Sequence, residues 1–408
     1  MFTRPELLAP AGDRERFDAA LSAGADAIYV GSTMFSMRAA PQNFDNTALR
    51  EICTLAHEKG VRIYLTLNTL PRNSEIPYLP EYIKNSAEAG VDAFIVADIG
   101  VLSFCKKYAP EVDVHISTQA GIVNYLSANE FYNLGAKRVV LARELSLDDI
   151  AELRQKTPKE LEIECFVHGA MCVSFSGRCL LSNYLVNRDA NRGECAQPCR
   201  WEYYLMQKDR QGSFFPVDQN ENGTYILNSK DMCMIEHIPE LVKAGIDSFK
   251  IEGRAKSAYY TAVITNAYRM AVDGYLKNPS DSYVPEQWII DETRKVSYRE
   301  YGTGFYFDAP IVNANVSYEG GYRREWDVMA VVDRCEDGFI FVEQRNKFSV
   351  GDELEALEFG KKPVSFTVEQ LFDEEGNPIE STPHPMMKAK IKSELNLKPG
   401  ALLRRQAK

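Results

Sequence analysis

Cysteine is the residue type on this chain whose number and spacing could do chemistry. Nine are present; Cys165, Cys172, Cys179, Cys195 and Cys199 fall within one stretch from Glu164 to Cys199, and Cys233 follows. From Cys172 onward the steps are 7, 16, 4 and 34 positions. Gly177, Gly193 and Pro198 stand beside them, so the backbone can bend to gather distant thiols. Thiolate sulfur is a soft ligand that selects zinc, cuprous copper or iron–sulfur clusters. Structural zinc usually takes two tight cysteine pairs, and only Cys195-x3-Cys199 has that form. Loose, loop-borne spacing suits a cubane cluster better, because four irons take one thiolate each. Zinc and plain buried cysteines remain open alternatives. Cys53, Cys105 and Cys335 lie in ordinary helical or strand runs and read as small buried hydrophobes, and Cys165 as strand core.

A second chemistry is nucleophilic. His168 precedes Cys172 by four positions, and a thiolate beside an imidazole is a competent attacker. Against it, a cysteine protease has no use for four further clustered cysteines. Other polar residues stand where expected strands end: Asn68, Asp98, Thr118 with Gln119, Arg143 with Glu144, then Lys250, Glu252 and Arg254. In Lys250-Ile251-Glu252-Gly253-Arg254, alternation puts Lys250 and Glu252 on one face, and Arg254 could clamp a carboxylate in bidentate fashion. The competing reading is a salt-bridge ladder that closes a barrel. No P-loop or dinucleotide fingerprint occurs, so nucleotide cofactors are unsupported.

These residues need a scaffold, and a short theme supplies it. Ala23-Gly24-Ala25-Asp26-Ala27-Ile28-Tyr29-Val30 recurs around Gly60, Gly90, Gly135 and Gly245. Each copy reads as a helix end, a glycine where positive φ is needed, then a short β-rich run. Strands are expected at 6–9, 27–30, 62–68, 93–98, 112–117, 138–142, 160–167 and 248–251. Eight strands alternating with helices predict a (β/α)8 TIM-like barrel, with an open doubly wound sheet as the alternative. The seventh and eighth strands are more than 80 residues apart, so the cysteine-rich insertion (168–233) follows the seventh strand, on the face where such barrels do chemistry. From Trp326 the pattern changes to short alternating strands at 328–332, 339–342, 353–357, 365–371, 388–391 and 401–405. That predicts a small C-terminal β-barrel domain over 311–408, after a barrel domain over 1–310. Seven Lys/Arg between Met386 and Lys408 face one acid, Glu394, so this end reads either as a solvated tail or as an RNA-contacting face.

With 408 residues, 45% hydrophobic and 26% charged, the composition is that of a globular protein. No apolar run reaches the ~18–20 residues of a membrane span, and the N-terminus shows no signal-peptide core; a cytoplasmic protein with reduced thiols is expected. A net charge of −11 argues against indiscriminate nucleic-acid binding but leaves room for a local basic surface.

The run Glu164-x-Phe166-x2-Gly169-Ala170-Met171-Cys172-x4-Gly177-x-Cys179-x-Leu181-Ser182 resembles the full signature of the collagenase-like peptidase family U32. Glu6-Leu7-Leu8-Ala9-Pro10-Ala11-Gly12, Ile116-Ser117-Thr118-Gln119, Ser229-Lys230-Asp231 and Lys250–Arg254 extend the likeness. In length and two-domain plan the chain resembles the tRNA-hydroxylating members. That resemblance implies prephenate-dependent 5-hydroxylation of the wobble uridine, with tRNA and a small carboxylate as partners. Other relatives hydroxylate ribosomal RNA or act in oxygen-independent ubiquinone hydroxylation, and carry [4Fe–4S] centres. Carried over, the ligands are Cys172, Cys179, Cys195 and Cys233, with Cys199 an alternative fourth. His168 and Glu252 are the expected proton-transfer residues, Lys250 and Arg254 the carboxylate anchors, and Asn68 and Gln119 further residues of the mouth. Tyr29, Phe35 or Tyr64 would stack a flipped base. The alternatives are a Cys172/His168 peptidase and a non-catalytic RNA- or ribosome-binding scaffold with structural zinc.

Overall fold

The glycine of each repeat sits just past a helix, at φ between +70° and +96°. A side chain there would cost roughly 1–2 kcal/mol, so these five positions fix where helix gives way to strand. In the computed structural model, residues 4–32, 34–36, 43–171, 179–188, 195–198, 218–220, 223–225, 230–307 and 322–407 are described.

The first seven strands are β1 (Glu6–Ala11), β2 (Ala27–Gly31), β3 (Arg62–Leu67), β4 (Ala93–Val96), β5 (Asp113–Ile116), β6 (Arg138–Val140) and β7 (Glu162–Ala170). Helices α1 (Arg14–Ser22), α2 (Asn46–His57), α3 (Leu79–Glu88), α4 (Ile99–Tyr108), α5 (Tyr125–Asn133) and α6 (Leu147–Gln155) alternate with them. Within the long insertion lie α7 (Leu181–Val186), a hairpin of β8 (Asp218–Asn220) and β9 (Gly223–Tyr225), and β10 (Asp231–Cys233). After α8 (Ile238–Lys243), β11 (Ser248–Ile251) pairs in parallel with both β1 and β7. That double pairing closes the eight-stranded parallel barrel and disposes of the open-sheet alternative. The 20-residue α9 (Ala258–Lys277), α10 (Gln287–Glu292) and a two-residue β12 (Tyr301–Gly302) complete this half.

One strand departs from expectation. β7 runs to Ala170 rather than stopping at Val167, because β10 pairs antiparallel with its end: Cys233 opposite His168, Met232 opposite Gly169, Asp231 opposite Ala170. His168 is therefore inside a strand.

Barrel strands buried on both faces leave few polar positions, and those cluster at the strand starts. Arg138 donates to Glu6 (2.6 Å), Glu164 (2.9 Å) and Glu162 (2.6 Å), and Ser248 Oγ donates to Glu6 (2.9 Å). Arg62 and the Tyr64 hydroxyl reach the other Glu6 oxygen. Burial opposes ionisation of Glu6, but Arg138 and Arg62 outweigh it and hold the carboxyl below its ordinary range.

The second domain is one antiparallel sheet in the order β16-β15-β19-β13-β14-β18-β17. Its strands are β13 (Trp326–Glu336), β14 (Phe339–Gln344), β15 (Glu353–Leu357), β16 (Val364–Thr367), β17 (Leu371–Asp373), β18 (Lys388–Lys392) and β19 (Leu402–Gln406). It is a half-barrel: the edge strands β16 and β17 do not pair with each other. The single strand expected over 365–371 divides into these two edges, because the backbone of Val368 turns to pair with Gly351 and Asp352. The expected domain boundary at 310/311 falls outside the described residues.

The basic end does not act as one surface. Arg404 is fully buried, donating to Glu292 (2.6 Å) across the domain interface and to Glu355. Arg405 pairs with Asp352 (2.5 Å). Lys388, Lys390 and Lys392 instead alternate outward along β18, since Ala389 and Ile391 fill the core side. No helix among the described residues is long and apolar enough to cross a membrane.

Candidate active site at the barrel mouth

Parallel strands carry their C-terminal residues to one face, so Asn68, Gln119, Arg143, Glu252 and Arg254 all emerge at the same mouth. Arg254 is buried beneath it, donating from Nη1 to Ser36 Oγ (2.8 Å) and Thr66 Oγ1 (3.0 Å). Gly31 is required below: a Cβ there would overlap the guanidinium.

Lys250 lies deeper. Its Nζ donates to Glu164 Oε1 (2.6 Å) and sits 4.6 Å from the Tyr29 ring centre, with the residue only 5% exposed. This is the barrel-closing ladder weighed against a ligand anchor. The Tyr29 hydroxyl contacts Ile251 O (3.0 Å) and Glu252 Oε2 (3.3 Å), and so links the ladder to the mouth. Tyr29 is thus buried inside the barrel, Tyr64 is fixed to Glu6 near the strand starts, and Phe35 packs edge-on against Tyr82 (5.2 Å). None of the three presents an open ring to a base, which corrects the stacking expectation.

Of the six proposed catalytic residues, Glu252 lines an open cleft. That cleft encloses about 470 Å³ between the mouth, the segment 195–198 and the second domain. Gln197, Lys256, Tyr259, Tyr260, Tyr322 and Trp326 share its wall. Lys256 Nζ sits 4.2 Å from the Tyr322 ring centre and 5.2 Å from Tyr260, and Lys295 Nζ lies 4.5 Å from Trp326. No local pattern announces this wall as a whole. Lys256 and Tyr260 are visible as a spacing of four at the start of α9, but Trp326 arrives from another domain.

His168 is 1% exposed and packs among Tyr260, Tyr268 and Tyr301, its Nε2 3.5 Å from the Tyr301 hydroxyl. Burial pushes its pKa down to about 3, with Lys256 adding to the effect and Asp231 opposing it. An imidazole held neutral in an aromatic box is a weak base at neutral pH.

Cys172 and Cys199 lie outside the described residues. Cys179, Cys195 and Cys233 are half-buried and form no disulfide. Cys179 stands two positions before α7, and the Ser182 hydroxyl in its first turn accepts the Ala196 N–H (3.0 Å), which ties the Cys195 segment to the same helix. Cys195 Sγ accepts the Gln197 N–H (3.3 Å), and Gln197 faces the cleft. Cys233 sits opposite His168, where burial raises its thiol to about 11; Tyr268 and Thr293 hydrogen bonds pull the other way. Among the described residues no three His, Cys, Asp or Glu gather as a single-ion site. A cubane asks for one thiolate per iron rather than four donors on one ion, and unoxidised soft donors fit that demand. Cys53, Cys105 and Cys165 are buried as expected, whereas Cys335 is only half-buried and accepts the Leu397 N–H (3.3 Å).

Comparison with known proteins extends over nearly the whole chain. Residues 12–315 match the peptidase family U32 domain, and residues 324–404 match the peptidase family U32 C-terminal domain. tRNA hydroxylation protein P1 of Bacillus subtilis is 36% identical over 406 residues, covering 98% of this chain and 95% of that protein. tRNA hydroxylation protein P of Escherichia coli is 33% identical over 423 residues, covering 93% and 92%. A protein named collagenase from Porphyromonas gingivalis is 32% identical over 330 residues, covering 78% of each. On the extent of both domain matches and on these identities, the chain belongs to peptidase family U32.

Proposed function

We propose that this protein is a tRNA-hydroxylating enzyme that acts at C5 of the wobble uridine, with prephenate as carboxylate co-substrate and a [4Fe–4S] cluster. The observation that carries the reading is the cleft beside Glu252, walled by Tyr259, Tyr260, Tyr322, Trp326 and Lys256. Aromatic rings interleaved with cations suit an unstacked nucleotide, and a base must leave its stack before chemistry reaches it. The names and identities of the Bacillus and Escherichia relatives support the same substrate.

Cys172, Cys179, Cys195 and Cys233 would hold the cluster, with Cys199 the alternative fourth ligand. When bound it would supply electron transfer or activation of the oxygen donor beside the mouth. Glu252 would take the C5 proton at one carboxylate oxygen while Tyr29 holds the other. Lys256 would meet a phosphate. Arg254 would steady the mouth through Ser36 and Thr66. Lys388, Lys390 and Lys392 on β18 would contact the tRNA backbone.

The test is a gene deletion with modified nucleosides profiled by mass spectrometry. Loss of 5-hydroxyuridine derivatives, restored by the native gene but not by Cys172→Ser, is expected. An unchanged nucleoside profile overturns the proposal. Anaerobically purified protein should be brown, with about four irons per chain. Colourless, metal-free protein that cleaves denatured collagen would favour the peptidase instead, although the enclosed, neutral His168 gives that reading no support.

A further inference from the structure

Four buried guanidinium groups in this protein pair with carboxylates, and a fifth, Arg254, donates to the Ser36 and Thr66 hydroxyls. Arg138 meets Glu6, Glu162 and Glu164; Arg299 meets Asp231; Arg404 meets Glu292 and Glu355; Arg269 meets Asp26 and Asp273. Arg143 differs from the four. It is 9% exposed, yet no carboxylate lies within ion-pair distance among the described residues. Its guanidinium carbon sits 3.8 Å from the Phe166 ring centre and Nη1 donates to Ala170 O (2.9 Å), but Nε is buried with no acceptor among the described residues. Leaving a buried charge uncompensated costs several kcal/mol, on the order of 3–5 when a partner is removed.

An orphan of the opposite kind lies at the same level of the neighbouring strand. Gln119 lies three residues past the end of β5, and Arg143 three past the end of β6. The two strands are paired with Ile116 opposite Val139. Beyond them the loops stay zipped: Thr118 Oγ1 donates to Leu141 O (3.1 Å) and the Ala142 N–H to Ile122 O (3.0 Å). Gln119 Oε1 is buried with no donor among the described residues.

We propose that Arg143 and Gln119 form a binding site at the barrel mouth for a small hydroxy-carboxylate. Arg143 donates from Nε to the carboxylate, and Gln119 Oε1 accepts from the ligand hydroxyl. A carboxylate at a buried guanidinium supplies the pairing that Arg138, Arg269, Arg299 and Arg404 have, and it forms a charge-assisted hydrogen bond. An RNA phosphate shares the oxyanion chemistry, but it carries ester links on both sides. A nine-tenths buried group accommodates the terminal group of a small molecule more readily. This assignment rests on the proposed function for its place in a reaction, and replaces Lys250, which Glu164 occupies, as the anchor.

Calorimetry on the full-length protein tests it, with prephenate, L-malate, succinate, inorganic phosphate and unmodified tRNA as probes. Prephenate or malate should bind. Arg143→Gln should weaken both at least tenfold, with the melting temperature of the ligand-free protein held. Gln119→Leu should weaken the hydroxylated ligands severalfold and leave succinate unchanged. Arg143→Lys, which retains the charge, should recover part of the affinity. No binding by any carboxylate overturns the site. So does equal weakening of every probe together with a fall in melting temperature, which would mark Arg143 as a brace for Ala170 alone. Binding of phosphate or tRNA but no carboxylate through Arg143 also overturns it. Nucleosides unchanged in the deletion strain while malate binding depends on Arg143 would remove the tRNA reading and leave this site standing.

Discussion

The two ends of the barrel treat buried charge in opposite ways. At the strand starts, Glu6, Glu162 and Glu164 surround Arg138, and Lys250 takes the remaining Glu164 oxygen. At the mouth, Arg143 Nε and Gln119 Oε1 are enclosed without partners among the described residues. Both ends bury an arginine. A compensated network has nothing left to offer a ligand, whereas an uncompensated group gains from binding what the fold withholds. The lower end is therefore structure, and the upper end is where a substrate repays desolvation already incurred.

Paired substitutions at Arg138 and Arg143 should separate the two ends most widely. Arg138→Met takes from Glu6, Glu162 and Glu164 the guanidinium they share, leaving Arg62 for Glu6 and Lys250 for Glu164, and should cost about 3–5 kcal/mol in denaturant unfolding. Arg143→Met removes a charge that has no carboxylate partner among the described residues, and should cost no more than about 1 kcal/mol, or stabilise. Equal losses from the two would show that the mouth is as structural as the floor.

Acid titration sharpens it next. The His168 pKa is lowered in the folded protein, so between about 6.5 and 3 the unfolded chain binds a proton that the folded one refuses. Stability should therefore fall with pH across that window, by about 2–3 kcal/mol from pH 6.5 to 4.5. Glu6 also has a lowered folded value, so its contribution is present above the ordinary carboxylate range and disappears only at lower pH. Urea melts of native and His168→Gln protein separate the two. The variant should lose the slope above pH 4.5 and retain the acid collapse below it. A native protein with flat stability down to pH 4.5 would contradict the buried, neutral imidazole.

What sequence could reveal followed the range of the interaction. The helix–glycine–strand repeat is local, and each of its glycines occupies the positive-φ position expected of it. Strand alternation placed Lys250 and Glu252 on one face, but it could not reveal that Glu164, 86 positions away, had claimed the amine. The end of β7 is not legible locally, because its partner β10 lies more than 60 residues on, and pairing rather than propensity extends the strand. Composition grouped Arg404 with the basic tail, although Glu292 draws it into the domain interface. At the mouth, the strand-end rule located Glu252, but the aromatic wall depends on how the second domain docks. Nothing local distinguishes Arg143 from other strand-end arginines, because its signal is the absence of a neighbour.

The smallest expected effect concerns charges that are neither buried nor paired. Lys390 and Lys392 project from β18, and neither has an ion-pair partner among the described residues; Lys390 Nζ lies 5.6 Å from the Phe341 ring centre. Exposed substitutions of this kind usually shift stability by no more than about 0.5 kcal/mol, so Lys390→Ala with Lys392→Ala should unfold as the native protein does. Their effect belongs to association. If both lysines neutralise tRNA phosphates, the salt dependence of tRNA binding should become shallower by about 1.4–1.8 in log–log slope, since each contact contributes roughly 0.7–0.9. An unchanged slope would move the RNA-contacting surface off this sheet and onto the Lys256 side of the cleft. There, Lys256→Ala should then carry the whole loss.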